Sequence, residues 1–293
     1  MTDTTMDPVA AFDEARPQLF AVAYRLLGTV TDAEDVLQDA YLRWQGADRR
    51  DVESPAAYLT TIVTRLCLDV LKSARVQREV YVGPWLPEPL IDAATGPAET
   101  AEMADSLSMA FLVLLESLTP LERAAFVLRQ VFGYEYAELA AVLDRDEAAC
   151  RQLVSRAKSH VESRRPRATA SRSDGERLVT EFLTACATGD VDGLMDMLAP
   201  DVVLRSDGGG VVSAARRPIY GADDVARFMV GVTKQGARTD FTVDLARING
   251  DPGCVVRIGG DVAFVMSLDV LDGTIAGVHV VRNPAKLTHL HAT

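Results

Sequence analysis

The 293-residue sequence lacks any apolar run of about 18 residues, the length that a helix needs to cross a membrane. Its first residues are polar and acidic, whereas a signal peptide begins with basic residues and continues with an apolar stretch. We therefore expect a cytoplasmic protein that has no membrane partner.

Cysteine is scarce, and the four cysteines, Cys67, Cys150, Cys186 and Cys254, lie far apart. Three of them fall in apolar periodic segments, so we expect reduced thiols in the core, with redox sensing as the alternative. The spacing argues against a disulfide framework and against a Cys-x-x-Cys zinc site. The sequence predicts neither a metal nor a cofactor.

Positive charge is in deficit, because the formal net charge is −12. Only residues 106–172 are net basic, with 10 Lys and Arg against 8 Asp and Glu, and residues 151–172 contain seven bases and one acid. Such a run neutralises several phosphates, but the chain as a whole is acidic. We expect weak independent affinity for DNA and a partner that helps to deliver the protein to DNA.

Residues 134–158 predict two short amphipathic helices that are joined by a polar turn at residues 144–146, where an N-cap is also expected. The inward positions are Tyr136, Leu139, Ala140 and Leu143 in the first helix, and Cys150, Val154 and Ala157 in the second. The outward positions of the second helix are Arg151, Gln152, Ser155 and Arg156. This pattern is typical of a helix-turn-helix that reads a major groove. The alternative is a helical hairpin with a solvated polar face.

Residues 8–76 also have helical periodicity, with helices predicted near residues 12–28, from Thr31 onward and over residues 55–74. The second helix has an acid-rich outer face that is formed by Asp35, Gln38, Asp39 and Arg43. In the third helix, we expect an inward stripe of Tyr58, Ile62, Leu66 and Val70. That stripe leaves Thr61, Arg65, Lys72 and Arg75 available to contact a nucleic acid.

Residues 77–105 predict a linker, because prolines and glycines interrupt the segment and it has six acids against one base. Its apolar side chains Tyr81, Val82, Trp85 and Leu86 are concentrated in a few residues, which indicates a docking surface elsewhere. After an Arg- and Pro-rich joint, residues 175–293 predict a separate α+β domain, with five β-rich runs and turns at Asn249-Gly250 and Asp272-Gly273.

Residues 32–44 and 54–75 together resemble regions 2.2 to 2.4 of a bacterial sigma factor of the extracytoplasmic-function (ECF) type, and residues 118–158 resemble region 4 of the same family. The sequences YVGPWLPEP at residues 81–89, DGGG at residues 207–210 and NPAKL at residues 283–287 are similar to the subgroup with a fused SnoaL-like domain of the NTF2-like cone fold. Two departures stand out: Ala285 replaces the usual acidic residue, and Arg65 replaces the usual Asn.

The resemblance implies four segments: region 2 at residues 7–76, the linker at 77–105, region 4 at 106–168 and the SnoaL-like domain at 175–293. It implies that Asp35, Gln38, Asp39 and Arg43 bind the clamp coiled coil of core RNA polymerase, whose flap is a second contact. Region 2 would melt and read the −10 element through Thr61, Arg65, Lys72 and Arg75, while residues 45–54 hold an extruded base. Arg151, Gln152, Ser155 and Arg156 would read the −35 element.

We expect the last domain to regulate the sigma factor in cis by holding the linker, through Tyr81, Trp85, Leu86, Asp207, Gly208, Gly209, Gly210, Asn283 and Pro284. Such folds also form pockets, and Arg205, Asp207, Asp261 and His279 are polar residues near predicted strands, so a small ligand is a further implied partner. By itself, the glycine-rich sequence of residues 207–210 predicts a flexible turn. The favoured function is a sigma factor rather than an enzyme. The alternatives are a regulator with a single helix-turn-helix, and a SnoaL-like enzyme or ligand sensor with a DNA-binding appendage.

Overall fold

The computed structural model describes residues 7–50, 52–91, 106–162, 172–236 and 240–290, without the side chains of residues 74–79, 162, 172 and 173. Two compact units are present. The first comprises Met1–Glu79 with Leu114–Arg164, and the second comprises Val80–Val113 with Arg165–Thr293. The Arg75 side chain, the linker beyond Ile91 and most of the basic joint lie outside the described residues.

Three helices open the first unit: α1 (Pro8–Leu27), α2 (Val30–Gln45) and α3 (Pro55–Glu79). Helix α1 begins where the Asp7 side chain accepts a hydrogen bond from the backbone N–H of Val9, and it ends at Gly28, whose φ of 75° is left-handed. The three predicted helices are confirmed, although α3 extends to Glu79 rather than ending near Ala74.

The inward stripe predicted for α3 is wrong. Tyr58 is 37% exposed and Ile62 and Val70 are only half-buried, so of the predicted stripe only Leu66 is buried. The buried positions also include Leu59, Val63, Cys67 and Leu71, with the polar Thr60 and Thr64 beside them. Burial of the Thr60 hydroxyl is tolerated because it donates a hydrogen bond to the Ala56 carbonyl at 2.8 Å. Leu59, Val63, Cys67 and Leu71 are themselves apolar and lie one position along from the predicted stripe, so only packing decides which of the two stripes faces inward.

The second half of this unit continues from α4 (Met109–Leu115), which crosses the unit boundary, to α5 (Pro120–Phe126), a π-helical turn (Val127–Val131), α6 (Tyr136–Leu143) and α7 (Glu147–Glu162). Helix α6 ends at Asp144, whose φ of 53° is left-handed, and the Asp146 carboxylate accepts from the backbone N–H of Ala149 at 2.7 Å. The predicted turn, the N-cap and the helix-turn-helix are therefore confirmed.

Helices α5 and α6 pack against α3 within the first unit. Arg123 of α5 is 3% exposed, and its guanidinium donates to the Leu26 carbonyl at the end of α1 at 2.8 Å and to Glu116 at 2.6 Å. Burial lowers the pKa of Arg123 to about 10. The last carbonyl groups of a helix carry a partial negative charge, so the positively charged guanidinium stabilises the carboxyl-terminal end of α1.

The second unit contains helices α8 (Arg172–Thr188), α9 (Val191–Met197) and α10 (Ala222–Gly236) and a six-stranded sheet. The strands are β1 (Leu198–Asp207), β2 (Ile219–Tyr220), β3 (Phe241–Ile248), β4 (Asp251–Ile258), β5 (Asp261–Leu271) and β6 (Thr274–Val281), in the order β2-β1-β6-β5-β4-β3. Only the β1–β6 pair is parallel. The five predicted β-rich runs and the predicted α+β class are confirmed.

Both predicted turns are also present, because Asn249 and Gly250 have φ of 55° and 83°, and Asp272 and Gly273 have 50° and 82°. Two consecutive positive φ values match the twist of a two-residue hairpin.

The two faces of the sheet are covered by different parts of the unit. One face carries Met266, Leu268 and Val278, which belong to a core cluster shared with α8, α9 and α10. The other face carries Val265 and Val281, which belong to a second cluster that includes Leu86 of the linker. The segment Leu86, Pro87, Glu88 and Pro89 is buried in this unit. The described part of the linker beyond α3, residues 80–91, is therefore irregular as expected, and residues 86–89 of it are packed.

Candidate polymerase, DNA and interdomain sites

In the first unit, the outer face of α2 is exposed and can contact a partner protein. Its four polar residues, Asp35, Gln38, Asp39 and Arg43, are all exposed. Leu42 on the same helix is 58% exposed, and sequence reasoning missed it because one leucine does not disturb an acidic face. A groove of about 330 Å³ borders this face and is lined by Phe12, Asp13, Arg16, Glu34, Asp35, Leu37, Gln38 and Tyr41. Arg16 and Glu34 form an ion pair of 2.5 Å there.

The predicted DNA-facing residues of α3 differ in the partners that their side chains have within the protein. The Arg65 guanidinium donates to the carbonyl oxygens of Ala141 and Val142, at 2.9 and 3.1 Å, at the end of α6. The Lys72 ammonium is paired with Asp69 at 2.8 Å, and the Thr61 hydroxyl donates to the Ala57 carbonyl. Arg75 lies outside the described side chains.

A second contact joins the buried side of α3 to the segment that precedes α6. The Tyr134 hydroxyl is hydrogen-bonded to the Thr60 hydroxyl, and burial raises the pKa of Tyr134. Of the described α3 residues assigned to DNA, Arg65 is therefore engaged by α6 in this conformation, although its side chain stays exposed.

The loop after α2, in residues 45–54, is anchored by aromatic and basic side chains. The Trp44 indole N–H donates to the Pro8 carbonyl at 2.7 Å, and the Arg49 guanidinium lies 5.3 Å from the centre of the Trp44 ring. Arg49 also donates to the Trp44 carbonyl at 2.8 Å. The loop is thus fixed at its first residues, while Asp51 lies outside the described residues.

The four predicted contacts of α7, which are Arg151, Gln152, Ser155 and Arg156, are exposed together on one face. The Arg151 guanidinium lies 5.1 Å from the centre of the Tyr136 ring and pairs with Glu147 at 2.6 Å. The Arg156 guanidinium pairs with Glu122 of α5 at 2.8 Å. Burial would raise the pKa of Glu122, but hydrogen bonds from Arg156 and Thr119 lower it. The two arginines are therefore held in place by their own domain.

The predicted regulatory residues meet around Asp207, which is 0% exposed at the end of β1. Its carboxylate accepts from the Tyr81 hydroxyl at 2.6 Å, from the Leu86 backbone N–H at 2.9 Å and from the Lys286 ammonium at 2.7 Å. The Asn283 amide donates to the Tyr81 hydroxyl at 2.9 Å. Desolvation and the bond to Asp207 raise the pKa of Tyr81.

The glycines after Asp207 are required by this arrangement. Gly209 and Gly210 have φ of 62° and 73°, and the Gly209 N–H donates to Asp207 at 3.0 Å. A Cβ atom at Gly209 would overlap the Asn283 amide, and one at Gly210 would lie 3.1 Å from Val82. Pro284 begins a short 3₁₀ helix (Pro284–Lys286) that follows Asn283. The DGGG segment is therefore a tightly fitted turn rather than a flexible one.

Lys286 belongs to the NPAKL motif but was not singled out among the predicted contacts. It is 5% exposed, it donates to the Leu86 carbonyl, and its ammonium lies 4.0 Å from the centre of the Trp85 ring and 5.1 Å from that of Tyr81. A buried lysine requires a carboxylate partner, and Asp207 provides it. Ala285 contributes backbone groups: its N–H donates to the Asn283 side chain at 3.1 Å, and its carbonyl accepts from the Thr288 hydroxyl at 3.4 Å.

The last described residues of the linker, Leu90 and Ile91, are held at a second place, which sequence reasoning also missed. The Leu90 N–H donates to the Asn249 side chain at 3.0 Å, the Asn249 N–H donates to the Leu90 carbonyl at 2.8 Å, and Ile91 forms a β-bridge with Ile248. His289 Nε2 lies 2.8 Å from the Pro89 carbonyl. Asn249 was interpreted only as a turn residue, so this contact had no separate signal in the sequence.

The four candidate pocket residues do not form one site. Arg205 and His279 are neighbours across β1 and β6, and Asp207 follows Arg205 by two residues. Asp261 is exposed at the β4–β5 turn, opposite Ile258, and is not part of this group.

The four cysteines are buried free thiols, as predicted. Burial raises the pKa of Cys186 and of Cys254 to about 12. No helix in the described part of the chain has the length and hydropathy to cross a membrane.

Family models match three successive parts of the chain: Sigma-70 region 2 at residues 11–76, Sigma-70 region 4 at residues 108–161 and a SnoaL-like domain at residues 179–281. These matches agree with the two helical regions and the mixed sheet of the structure, and they define a sigma factor with a fused SnoaL-like domain. The chain belongs to the ECF RNA polymerase sigma factor family.

Two curated relatives come from Mycobacterium tuberculosis. The ECF RNA polymerase sigma factor SigJ is 38% identical over 96% of this chain and 93% of its own length. The probable ECF RNA polymerase sigma factor SigI is 31% identical over 98% of this chain and 97% of its own length. The crystal structure of M. tuberculosis SigJ matches with a TM-score of 0.76 and 35% identity, covering 96% of this chain and 98% of that one.

Proposed function

We propose that this sigma factor directs core RNA polymerase to specific promoters, and that its SnoaL-like domain modulates this activity in cis by holding the linker. The observation that carries the regulatory part is the buried Asp207 carboxylate, which is bonded to Tyr81 and Leu86 of the linker and to Lys286.

The polymerase contact in this proposal is the outer face of α2. Three features support it: its polar residues are exposed together, Leu42 adds an apolar contact in their centre, and a groove borders the face. A partly apolar patch with a polar rim is the usual composition of a protein interface. We assign this face to the clamp coiled coil, and we assign the flap to region 4. A polymerase partner also accounts for the acidic chain, because the polymerase then contributes most of the DNA affinity.

The promoter contacts in this proposal are α3 for the −10 element and α7 for the −35 element. Arg151 is suited to base readout because its guanidinium is already oriented by Tyr136 and Glu147, which reduces the entropy lost on binding. Arg65 donates to two carbonyls of α6 in this conformation, so those bonds must break before it contacts DNA.

The regulatory step follows from the chain connectivity. Tyr81 follows the end of α3 at Glu79 by two residues, so the contacts of Tyr81 fix the chain just after region 2. The contacts of Leu90 and Ile91 fix the linker again at the β3–β4 turn. While both contacts persist, residues 81–91 of the linker cannot extend away from this domain, which shortens the length of chain that is free to separate the two DNA-binding regions. Release of the linker would permit the separation that the two promoter elements demand.

In vitro transcription with core polymerase tests the proposal. The proteins to compare are the full-length chain, a truncation after Ser171, Trp85→Ala and Asp207→Ala, with Asp223→Ala as a matched exposed control. We expect the first three variants to change transcription from one promoter while still binding core enzyme, and the control to behave as wild type. Equal transcription by all five proteins would contradict the regulatory role, and failure of the full-length protein and all variants to bind core enzyme would contradict the sigma function.

A further inference from the structure

A cluster of four polar side chains lies on the sheet face that also binds the linker. Arg205 on β1 is opposite His279 on β6, and His279 is opposite Ser267 on β5. Asp269 follows Ser267 by two residues on β5. Because side chains alternate along a strand, these four side chains emerge on the same face within three adjacent strands.

The cluster is buried, but its hydrogen bonds are incomplete. His279 and Ser267 are each 1% exposed and Asp269 is 6% exposed. His279 Nε2 lies 2.8 Å from Asp269 Oδ2, whereas His279 Nδ1, Asp269 Oδ1 and Ser267 Oγ have no hydrogen-bond partner in the described part of the protein. Buried polar atoms nearly always have a partner, so three unpaired atoms on neighbouring side chains indicate a bound molecule.

Arg205 gives the cluster a charge and a route to solvent. Its side chain is only half-buried, and within the described ranges its guanidinium forms no hydrogen bond. Burial lowers the pKa of Arg205 and the nearby Asp269 raises it, which places both charges in one poorly solvated region. A guanidinium in such surroundings is suited to a planar oxyanion that accepts two parallel hydrogen bonds.

We propose that Arg205, Ser267, Asp269 and His279 form a binding site for a small 2-hydroxy carboxylate. The Arg205 guanidinium and the Ser267 hydroxyl donate to the carboxylate of the ligand. The hydroxyl of the ligand donates to Asp269 Oδ1, or to His279 Nδ1 in the tautomer whose Nε2–H donates to Asp269. A monoanion fits better than a phosphate, because a second negative charge would lie close to Asp269 without a second cation.

The local backbone is compatible with this assignment. Gly277 lies opposite Asp269, and a Cβ atom at Gly277 would overlap the Asp269 carboxylate. The glycine therefore permits the carboxylate to lie over β6 and to reach His279. The helices α8, α9 and α10 pack on the opposite face of the sheet, so this cluster is separate from their apolar core.

Calorimetry on the full-length protein tests the site with three probes: glycolate, acetate, which lacks the hydroxyl, and ethylene glycol, which lacks the carboxylate. We expect saturable binding of glycolate, at least tenfold weaker binding of acetate and no binding of ethylene glycol. Arg205→Gln and Ser267→Ala should each weaken glycolate binding, Arg205→Gln by tenfold or more. Arg227→Gln, which changes an exposed arginine on α10, should bind glycolate like the wild type.

Nuclear magnetic resonance of ¹⁵N-histidine provides a second readout, because the chain has only four histidines. Glycolate should shift the His279 ring signals in the wild type and leave them unchanged in Arg205→Gln. Absence of saturable glycolate binding, or binding that is unaffected by both substitutions in folded protein, would show that the cluster holds only water. Both readouts measure binding rather than transcription, so their outcome is independent of the proposed regulatory function.

Discussion

Replacement of Asp207 by alanine is expected to release the linker from the sheet of the SnoaL-like domain. The substitution removes the acceptor of the Tyr81 hydroxyl, of the Leu86 N–H and of the Lys286 ammonium, which lie 2.6, 2.9 and 2.7 Å from the carboxylate. Both charged side chains of the pair are buried, at 0% and 7% exposure. Removal of one partner leaves a buried charge, and such changes cost about 3–5 kcal/mol.

The lower end of that range applies here, because Lys286 keeps the Leu86 carbonyl and the faces of two aromatic rings as partners. A loss of about 3 kcal/mol in the free energy of linker opening corresponds to roughly 100-fold more frequent opening, since 1.4 kcal/mol is a factor of ten. Hydrogen exchange reports this quantity directly for amides that are protected only while the linker is bound.

The informative amide is that of Leu90, because it donates to Asn249 and not to Asp207. If the linker opens as one segment, Asp207→Ala accelerates exchange at Leu90 as well as at Leu86. Asp223→Ala removes an exposed carboxylate on α10 and should leave both amides unchanged. Wild-type exchange at Leu90 in the Asp207→Ala protein would refute the reasoning, because the ion pair would then not hold the linker.

Four further outcomes are expected. Asp39→Arg should reduce co-purification with core polymerase and shift the unfolding free energy by less than about 0.5 kcal/mol, because the side chain is exposed; undiminished co-purification would remove α2 from the interface. Arg151→Ala should cost about 1–3 kcal/mol in promoter recognition at one −35 position, measured on promoters that differ at single bases, and a uniform loss on all promoters would indicate a phosphate contact instead. Arg65→Ala should lower the urea midpoint by removing two hydrogen bonds to α6, and an unchanged midpoint would show that these bonds are replaced by water. At pH 8 the Cys186 and Cys254 thiols should not react with a thiol reagent until the protein unfolds. Burial raises the pKa of both thiols to about 12, so the reactive thiolate is rare at pH 8. Fast reaction of these two thiols in the native protein would contradict their burial.

Much of the fold could be predicted from local patterns, and the reason is that each pattern repeats with the period of one element. The β-rich run at residues 261–271 matches β5 residue for residue, and Asn249-Gly250 and Asp272-Gly273 adopt the positive φ values that such pairs allow. The helix-turn-helix followed from its spacing and from the Asp146 cap. The α3 stripe failed because Leu59, Val63, Cys67 and Leu71 form a second apolar stripe one position along, and a local pattern does not choose between the two.

Some residues of the candidate sites could likewise be predicted from local patterns, and others could not. Exposure of Asp39 and Arg151 follows from the period of one helix, and the sequence by itself determined it. The partners of Asp207 lie 126, 121 and 79 positions away along the chain, and no local pattern connects residues at such distances. Only the folded sheet, which brings the end of β1 beside Lys286 and the linker, decided that Asp207 is a buried ion-pair partner rather than the start of a flexible turn. The same holds for Ser267, Asp269 and His279, because strand register, which is a tertiary property, set them side by side.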